Sequence, residues 1–483
     1  MGSTQSKEVQ QPAVVYTKPP QQYCEKAGSR SQTLDPSDRF KVENFRKWQE
    51  EFLTQPVNKL AVSAVSNVGI TSVITQPTAL NQDGVHEFSD KIDVEGSPVT
   101  NQNSSGRCWI FASSNVLRVG IQRTYKIEHF ELSQAYLFFY DKLEKSNYFL
   151  QTVIETRDEP LDSRLLSTLF GEVVSDGGQW DMIVNLVSKY GVAPKAAYPD
   201  SFNASTSSQV NYFLINKLRE YGLAIRDAAH SQGASQDELV VLKDKFMKEV
   251  YGILVVTLGP PPKPDEKFTW EYTDKEKKFH RVEKTPVEFY ESIAKFKATD
   301  YFSLINDPRN DYNTLYTVDR LGNIVEGRPI EYVNTEIDVL KKAAINAIQN
   351  NEPVFFGCDV GKFSDKKLGV MDVNGWDYEV AFGTGMGITK AERLKTGSSA
   401  MTHAMVLTAV NLVDGKPTKW RVENSWGDSA GDKGYFIMSD DWFNEYVFQV
   451  VTSARYIDKK YVDIWKSKKY VVLPRWDPLG ALA

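Results

Sequence analysis

Cysteine is scarce in this sequence: only Cys24, Cys108 and Cys358 occur among its 483 residues. Three cysteines cannot build a disulfide framework, and an odd number leaves at least one thiol free. The scarcity therefore excludes a small secreted scaffold that disulfides hold together. A free thiol is typical of a reducing compartment, and we predict a cytoplasmic protein.

Long apolar runs are also missing. The longest apolar stretch lies near residues 253–256, far short of the roughly 18 residues that a membrane-spanning helix needs. The first residues contain no apolar segment of the kind found in secretory signals. They begin with Met-Gly-Ser-Thr-Gln-Ser, which fits the acceptor pattern for myristate on Gly2. A lipid on Gly2 would give weak membrane contact; the alternative is an unmodified flexible tail.

Positive charge is not in excess. The chain has 57 Lys and Arg against 63 Asp and Glu, a net charge of −6, so its overall charge does not favour polyanion binding. Residues 459–475 are a local exception, with a net charge of +5 interleaved with Tyr461, Trp465 and Tyr470. Basic and aromatic residues in alternation are typical of single-strand binding surfaces. Nucleic-acid binding is therefore an alternative function, supported by this segment alone.

The composition is that of a globular protein, 41% apolar and 25% charged, with room for about three core-sized units. Residues 1–36 are rich in Gln, Pro and Ser and predict a flexible tail. Phe45, Trp48 and Phe52 recur at helical spacing, which predicts an amphipathic helix whose aromatic side chains lie in the core. Further helical patterns cover residues 106–124, 132–147 and 181–190.

The middle of the chain predicts a helical insertion. Capping boxes at Ser235 and Thr285 begin two of its helices. Residues 268–272 and 279–283 flank a charged turn and predict a hairpin. From Pro353 onward the chain consists of short β-rich runs separated by Gly and Asp turns. We therefore expect a mainly helical first part and a last third that is mostly sheet.

Cys108 stands between a polar loop and an apolar helical run that begins at Trp109. The positive end of the helix dipole and the neighbouring Arg107 would lower the pKa of this thiol and favour the thiolate. Cys108 is therefore the candidate nucleophile. The alternative is a buried structural cysteine, which would need none of the partner residues described next.

A catalytic thiolate needs an imidazole that holds it as an ion pair and later protonates the leaving amine. Of the five histidines, His403 alone begins a predicted strand, at residues 402–410. Asn424 follows 21 residues later in Asn-Ser-Trp-Gly, where its amide can accept from the imidazole and fix the tautomer. Four histidines in polar surroundings are predicted to be surface residues: His86, His129, His230 and His280.

Gln102 can supply a side-chain amide beside the backbone N–H of Cys108, and two such donors would form an oxyanion hole. The order of Gln102, Cys108, His403 and Asn424, with Leu132-Ser133-Gln134 and Asn-Ser-Trp-Gly, resembles papain-like cysteine peptidases. Several blocks more specifically resemble the bleomycin hydrolase family, the cytosolic branch of these peptidases. They are residues 98–109, 132–142, 176–179, 401–405 and 476–483.

The chain departs from the secreted papain-like enzymes in two ways. It has no second cysteine near Cys108, and 295 residues separate Cys108 from His403, where roughly 130 to 150 are usual. The resemblance implies an α+β, papain-like two-lobed fold with a helical insertion. Its expected parts are a flexible tail, a helical lobe, the insertion, a β-rich lobe and a C-terminal arm, at residues 1–36, 37–200, 201–345, 346–455 and 456–483.

In the bleomycin hydrolase family the C-terminal arm lies in the cleft and its carboxylate meets the free amino group of the substrate. The resemblance therefore implies that Ala483 binds substrate beside a cleft wall of Gly177 and Gly178. It also implies a homohexamer, peptide substrates, and no cofactor or metal. The implied function is a cysteine aminopeptidase that releases N-terminal residues and hydrolyses aminoacyl amides such as bleomycin. A Cys-His acyltransferase is the enzymatic alternative, which Asn424 disfavours because such enzymes usually carry Asp there.

Overall fold

The computed structural model describes residues 40–483, except for the side chains of residues 81–83. The predicted tail at residues 1–36, with Gly2 and Cys24, lies outside the described residues. Seventeen α-helices occur within the described part. They are α1 (Val42–Thr54), α2 (Pro56–Val65), α3 (Ile70–Ile74), α4 (Pro77–Asp83), α5 (Cys108–Tyr125), α6 (Gln134–Glu155), α7 (Arg164–Gly171), α8 (Trp180–Tyr190), α9 (Phe202–Ser205), α10 (Ser208–His230), α11 (Gln236–Leu258), α12 (Pro286–Phe289), α13 (Ile337–Gln349), α14 (Tyr378–Phe382), α15 (Lys390–Thr396), α16 (Asp440–Tyr446) and α17 (Lys459–Ser467).

The strands alternate with these helices mainly in the second half of the chain. They are β1 (Asp90–Lys91), β2 (Phe268–Thr273), β3 (Phe279–Lys284), β4 (Tyr301–Ile305), β5 (Thr314–Val318), β6 (Tyr332–Asn334), β7 (Val354–Cys358), β8 (Ser364–Asp365), β9 (Val370–Met371), β10 (His403–Val413), β11 (Lys416–Glu423), β12 (Tyr435–Ser439), β13 (Val447–Ser453) and β14 (Tyr470–Leu473).

One mixed sheet of twelve described strands forms the centre of the second lobe. Its order is β14-β5-β6-β4-β13-β7-β10-β11-β12-β9-β8, and β1 pairs with β10. β10 lies between β7 and β11 in antiparallel pairing, with His403 opposite Cys358. β2 and β3 form a separate antiparallel hairpin. This is the expected α+β papain-like fold, with a helical part packed against a sheet.

Helix α5 joins the two lobes. Most of its side chains are buried, on every side of the helix, and it contacts α6 and α8 on one side and β7 and β10 on the other. A helix with apolar residues all round is expected in the interior of a large protein. The N-terminus of α5, where Cys108 lies, is therefore held between the helical lobe and the start of β10.

Most of the predicted elements are confirmed. The patterns at residues 106–124, 132–147 and 181–190 correspond to α5, α6 and α8, and Gly191 ends α8 with a left-handed φ of 68°. Both capping boxes form, at the starts of α11 and α12. The predicted hairpin is β2 and β3. Local signals of this kind act within a few residues, so the sequence is enough to locate them.

The prediction for α1 is half wrong. The helix forms, but Phe45, Trp48 and Phe52 are exposed by 56%, 52% and 47%, whereas the sequence analysis expected them in the core. An apolar spacing determines which residues share a face, and it does not determine what covers that face. No described helix combines the length and the apolar character that crossing a membrane requires.

Three strands, β4, β5 and β6, were not predicted from the sequence. They lie inside the segment expected to be helical with one hairpin, yet they extend the large sheet by pairing with β13 and β14. β6 pairs with β4 and β5, but the partners β13 and β14 are more than 100 residues away in the sequence. The signal for them is therefore tertiary, since a short run gains its strand conformation from the edge that it joins.

Helix α11 allows a matched test of this packing. Leu254 is completely buried and Val256 is 85% exposed. We expect Leu254→Ala to lower the free energy of unfolding by about 2–5 kcal/mol, because it leaves a cavity in the core. Val256→Ala should change it by less than about 0.5 kcal/mol. Urea denaturation followed by circular dichroism measures both, and equal effects would contradict the described orientation of α11.

Candidate functional site

Cys108 is the first residue of α5, and its side chain is buried. The backbone amide of Ala404, the residue after His403, is one of the groups that act on the thiol and lower its pKa. The thiol therefore lies at the start of β10, where the two lobes meet. The contact of α5 with β10 brings together two residues that are 295 positions apart in the sequence.

His403 is held by the end of the neighbouring strand. Its Nε2 lies 3.0 Å from Oδ1 of Asn424, the residue that follows β11. An amide oxygen can only accept, so Nε2 carries the proton and donates it. Nδ1 is then the nitrogen that remains for the thiol. The Trp426 ring lies 5.0 Å from the imidazole and helps to bury this hydrogen bond.

Gln102 is buried in the loop before α5 and is fixed from both ends of its amide. Its Oε1 accepts from the Ser425 hydroxyl at 2.6 Å, and its Nε2 donates to the Ser105 carbonyl at 2.7 Å. The backbone N–H of Gln102 also donates to the Ser425 carbonyl at 2.9 Å. These bonds orient the amide so that one hydrogen on Nε2 is left to donate to a further acceptor.

Burial dominates the electrostatics of the thiol and the imidazole. It raises the pKa of the Cys108 thiol to about 11. It lowers the pKa of the His403 imidazole to about 4, against the opposing effect of the hydrogen bond to Asn424. A single charge on either group is therefore disfavoured. The site can hold both charges together. Transfer of the thiol proton to the imidazole creates a thiolate and an imidazolium, and each stabilises the charge of the other.

Gly177 and Gly178 form a wall on which the end of the chain lies. Gly178 donates its backbone N–H to the Ala483 oxygen at 2.9 Å. A Cβ on Gly178 would lie 2.4 Å from the Trp109 ring, and a Cβ on Gly177 would lie 2.9 Å from the Ala483 oxygen. The absence of side chains is therefore what allows both close approaches.

The arm that leads to Ala483 is anchored at several points. Gln179 donates its side-chain N–H to the Ala481 carbonyl at 3.0 Å. Asp477 forms an ion pair with Arg309 at 2.9 Å, and Arg475 forms one with Glu172 at 2.8 Å. Ala483 itself is 3% exposed. The arm is thus a fixed structural element that ends against Gly177 and Gly178.

The basic segment at residues 459–475 is not arranged as a stacking surface. Tyr461 and Trp465 are buried, and Trp465 stacks on Phe302 with ring centroids 4.6 Å apart. The hydroxyl of Tyr470 and the amine of Lys468 both bind Glu331. Two of the three aromatic rings that made nucleic acid an alternative therefore belong to the interior of the second lobe, and the half-buried Tyr470 is held by Glu331. This arrangement does not support that alternative.

Sequence analysis did not assign roles to several residues beside the site. Asp176 and Lys142 form an ion pair of 2.6 Å next to the loop before Cys108. Ser425 orients Gln102, and Gln179 binds the arm. All four lie in the sequence blocks that carried the resemblance, which was the one available signal. Their partners are far away in sequence, so their contacts could not be read from spacing.

Comparisons with known proteins agree with this geometry. The sequence model of the peptidase C1-like family matches residues 39–480. Bleomycin hydrolase of Gallus gallus is 47% identical over 83% of this chain and 90% of its own length. Human bleomycin hydrolase is 44% identical over 86% of this chain and 94% of its own length.

Two further relatives extend the comparison. Cysteine proteinase 1, mitochondrial, of Saccharomyces cerevisiae is 40% identical over 92% of this chain and 94% of its own length. The crystal structure of PepW from Lactobacillus rhamnosis superposes with a TM-score of 0.89 at 43% identity. It covers 92% of this chain and 100% of the PepW chain.

The hydrogen bond from His403 to Asn424 leads to a pH-dependent prediction. This bond favours the protonated imidazole, so Asn424→Ala should lower the pKa of His403 further and reduce the fraction of thiolate at neutral pH. We expect alkylation of Cys108 by iodoacetamide to slow by roughly ten- to a hundredfold at neutral pH. This factor corresponds to the free energy that a hydrogen bond to a charged group contributes. The pH above which the ion pair is lost should move downward.

The matched control is Asn411→Ala on β10, the strand that begins with His403. It removes an amide whose side chain binds the Thr418 hydroxyl in the β10–β11 hairpin. It should leave the alkylation profile unchanged. Mass spectrometry of the Cys108 peptide measures both variants from pH 4 to pH 10. An unaltered profile in Asn424→Ala would show that the amide does not act on the imidazole.

Proposed function

Because the chain belongs to the peptidase C1-like family and is a cysteine aminopeptidase, we propose that Cys108 is its nucleophile and that His403 exchanges the protons. The observation that carries this proposal is the hydrogen bond from His403 Nε2 to Asn424, 3.0 Å long. It leaves Nδ1 for the thiol at the N-terminus of α5. The same bond holds the imidazole in one orientation through the reaction.

In the acylation step, the Cys108 sulfur attacks the carbonyl carbon of the first peptide bond of the substrate. The thiol proton is held by His403, which passes it to the leaving amine as the C–N bond breaks. The products are a thioester on Cys108 and a peptide shortened by one residue. Asn424 takes no proton; it keeps the imidazole aligned while its charge changes.

In the deacylation step, neutral His403 takes a proton from water, and the oxygen attacks the thioester. The C–S bond then breaks, the amino acid leaves, and the proton returns to the Cys108–His403 pair. Both steps pass through an intermediate with a negatively charged oxygen. The Nε2 hydrogen of Gln102 that its own loop does not use, with the backbone N–H of Cys108, would donate to that oxygen.

Cys108→Ala tests the nucleophile. We expect turnover of aminoacyl amides to fall below about one thousandth of wild type, since a covalent nucleophile supplies most of the acceleration. The fold should persist, because the change removes one small side chain. Ser113→Ala is the control, a similar truncation of a buried residue on the same helix, and should stay active. Residual activity of Cys108→Ala above that level, with an unchanged melting temperature, would contradict the proposal.

The arm provides the support for cleavage at the N-terminus. The Ala483 oxygen accepts from Gly178 N–H, so the arm already uses a backbone donor of the cleft wall, and a substrate extending beyond this point would collide with it. A carboxylate on Ala483 would attract the free ammonium group of a peptide in a partly desolvated site. We therefore propose that Ala483 recognises the substrate amino group, with Gly177 and Gly178 as the wall.

Deletion of residues 480–483 tests the arm. It removes the anion and the obstruction together, so we expect the preference for unblocked over N-blocked substrates to fall by at least tenfold. A tenfold change corresponds to the loss of an ion pair that contributes about 1.4 kcal/mol. Cleavage of internal bonds should appear. The measurement compares kcat/KM for matched fluorogenic peptides with free and acetylated N-termini, with active sites counted by titration of Cys108. An unchanged preference would show that the arm does not select the amino group.

Three finer properties remain proposals. Two relatives are named for bleomycin hydrolysis, so we propose bleomycin-type aminoacyl amides among the substrates, together with peptides. We propose a homohexamer, which the exposed aromatic face of α1 supports because such a face is stabilised by a covering surface. We propose a cytoplasmic location, supported by the free Cys108 and Cys358 thiols.

A further inference from the structure

Asp176 binds the chain on both sides of Cys108. Its Oδ2 accepts from the backbone N–H of Gly106 at 3.0 Å, two residues before Cys108. The backbone carbonyl of Asp176 accepts from the indole N–H of Trp109 at 2.6 Å, one residue after Cys108. The next two residues along the chain are the Gly177 and Gly178 wall. Asp176, which directly precedes this wall, thus forms one bond to the chain before the nucleophile and one to the residue after it.

The Asp176 carboxylate is itself held by buried groups. Lys142 on α6 is fully buried and lies 2.6 Å from Oδ1. Asn211 on α10 donates to Oδ1 at 2.8 Å, and the Ser207 hydroxyl donates to Oδ2. Three hydrogen-bond donors, from the loop before Cys108 and from the start of α10, and the ammonium group of Lys142 on α6 therefore converge on one carboxylate and restrict its geometry.

The fit between this carboxylate and the loop leaves no spare space. A Cβ on Gly106 would lie 2.8 Å from the Cβ of Asp176. Although burial raises the pKa of Asp176, the ion pair with Lys142 and the hydrogen bonds from Ser207 and Gly106 hold that pKa well below its usual range. The carboxylate therefore stays charged, and the bond to Gly106 persists over the working pH range.

We propose that Asp176 is a positioning residue for the peptidase reaction: held by Lys142, it fixes the loop that presents Cys108 and joins that loop to the glycine wall. The inference rests on the proposed role of Cys108. Asp176 touches neither the substrate nor the reacting atoms, and its carboxylate acts through the Gly106 N–H. The Trp109 indole binds the backbone carbonyl of residue 176, which every variant below keeps. Displacement of a reacting group by about 1 Å can cost on the order of a hundredfold in rate.

The test uses double variants, because removal of one partner would leave a buried charge unpaired and unfold the protein. In Lys142→Met/Asp176→Asn, the Asn oxygen can still accept from Gly106. Its NH2 would then face Asn211 Nδ2, and a half-turn of the Asn211 amide brings its Oδ1, which is buried without a partner, into position to accept. In Lys142→Met/Asp176→Ala the acceptor is gone. The two variants differ in the proposed bond and share the loss of the ion pair.

We expect the Asn double variant to keep kcat within about threefold of wild type and the Ala double variant to lose about a hundredfold. The rate of Cys108 alkylation by iodoacetamide should fall in the Ala variant as well, at temperatures where circular dichroism shows both to be folded. Lys341→Met/Asp440→Asn is the control. It removes an ion pair of the same length, 2.6 Å, in the second lobe, and should leave kcat unchanged.

Gly106→Ala is a second route that leaves the buried pair intact, should a double variant not fold. Its methyl group would push the loop away from Asp176, and we expect kcat to fall at least tenfold with KM nearly constant. Gly120→Ala, on the same helix as Cys108 with nothing within 4 Å of the added Cβ, should be fully active. Full activity of Gly106→Ala would overturn the proposal.

Equal kcat in folded Asn and Ala double variants would also overturn it, whether both are active or both inactive, because the hydrogen bond would then not matter. The proposed function fails separately. If Cys108→Ala keeps its activity, the nucleophile is wrong; if Cys108→Ala is inactive while the Ala double variant is fully active, the positioning role alone is wrong.

Discussion

A fully buried ion pair joins the two lobes at the place where the site is built. Arg118 of α5 and Glu423 of β11 meet at 2.6 Å with both side chains inaccessible to solvent. Arg118 also donates to the Pro98 carbonyl at 2.7 Å. Cys108 begins the same helix, and Asn424 follows Glu423. The pair therefore determines how α5 lies along the sheet, and with it the relation of the thiol to the residue that orients the imidazole.

The helical lobe contains further buried charges, and their contribution is to geometry more than to stability. Asp141 pairs with Lys145, and Lys142 pairs with Asp176. Transfer of such groups from water into a protein interior costs several kcal/mol for each ion, which the pairing does little more than offset. The pairs fix the orientation of each carboxylate and thereby the position of the loop that donates hydrogen bonds to it. Lys145 on α6 donates to the Gly177 carbonyl at 2.6 Å, and this bond helps to fix the position of the glycine wall.

The selectivity proposed for the enzyme arises from the chain's own last residues. Gly178 N–H is a donor that an extended ligand can use, and the Ala483 oxygen occupies it. The ion pairs of Asp477 and Arg475 hold the arm in this position. The proposed preference for a free amino group therefore depends on a few residues that this network of contacts holds in place.

The sequence alone was sufficient for the elements whose signals are local. The helices α5, α6 and α8, both capping boxes and the β2–β3 hairpin follow from spacing and capping within a few residues, and the resemblance correctly indicated the fold and the family. The residue types and their order had already singled out Cys108, His403, Asn424 and Gln102, of which the structure brings His403 and Asn424 to hydrogen-bond distance. Their catalytic roles stay predictions until the variants are measured.

Only the tertiary structure decided the rest. It left the aromatic face of α1 exposed, joined β4, β5 and β6 to the main sheet, and buried Tyr461 and Trp465 of the basic segment. It also revealed Asp176 with Lys142 as the support of the loop before Cys108. Each of these depends on contacts between residues far apart in the chain. A periodic pattern states what a residue requires, namely burial, a partner or an edge, and the packing of the whole chain determines which neighbour supplies it.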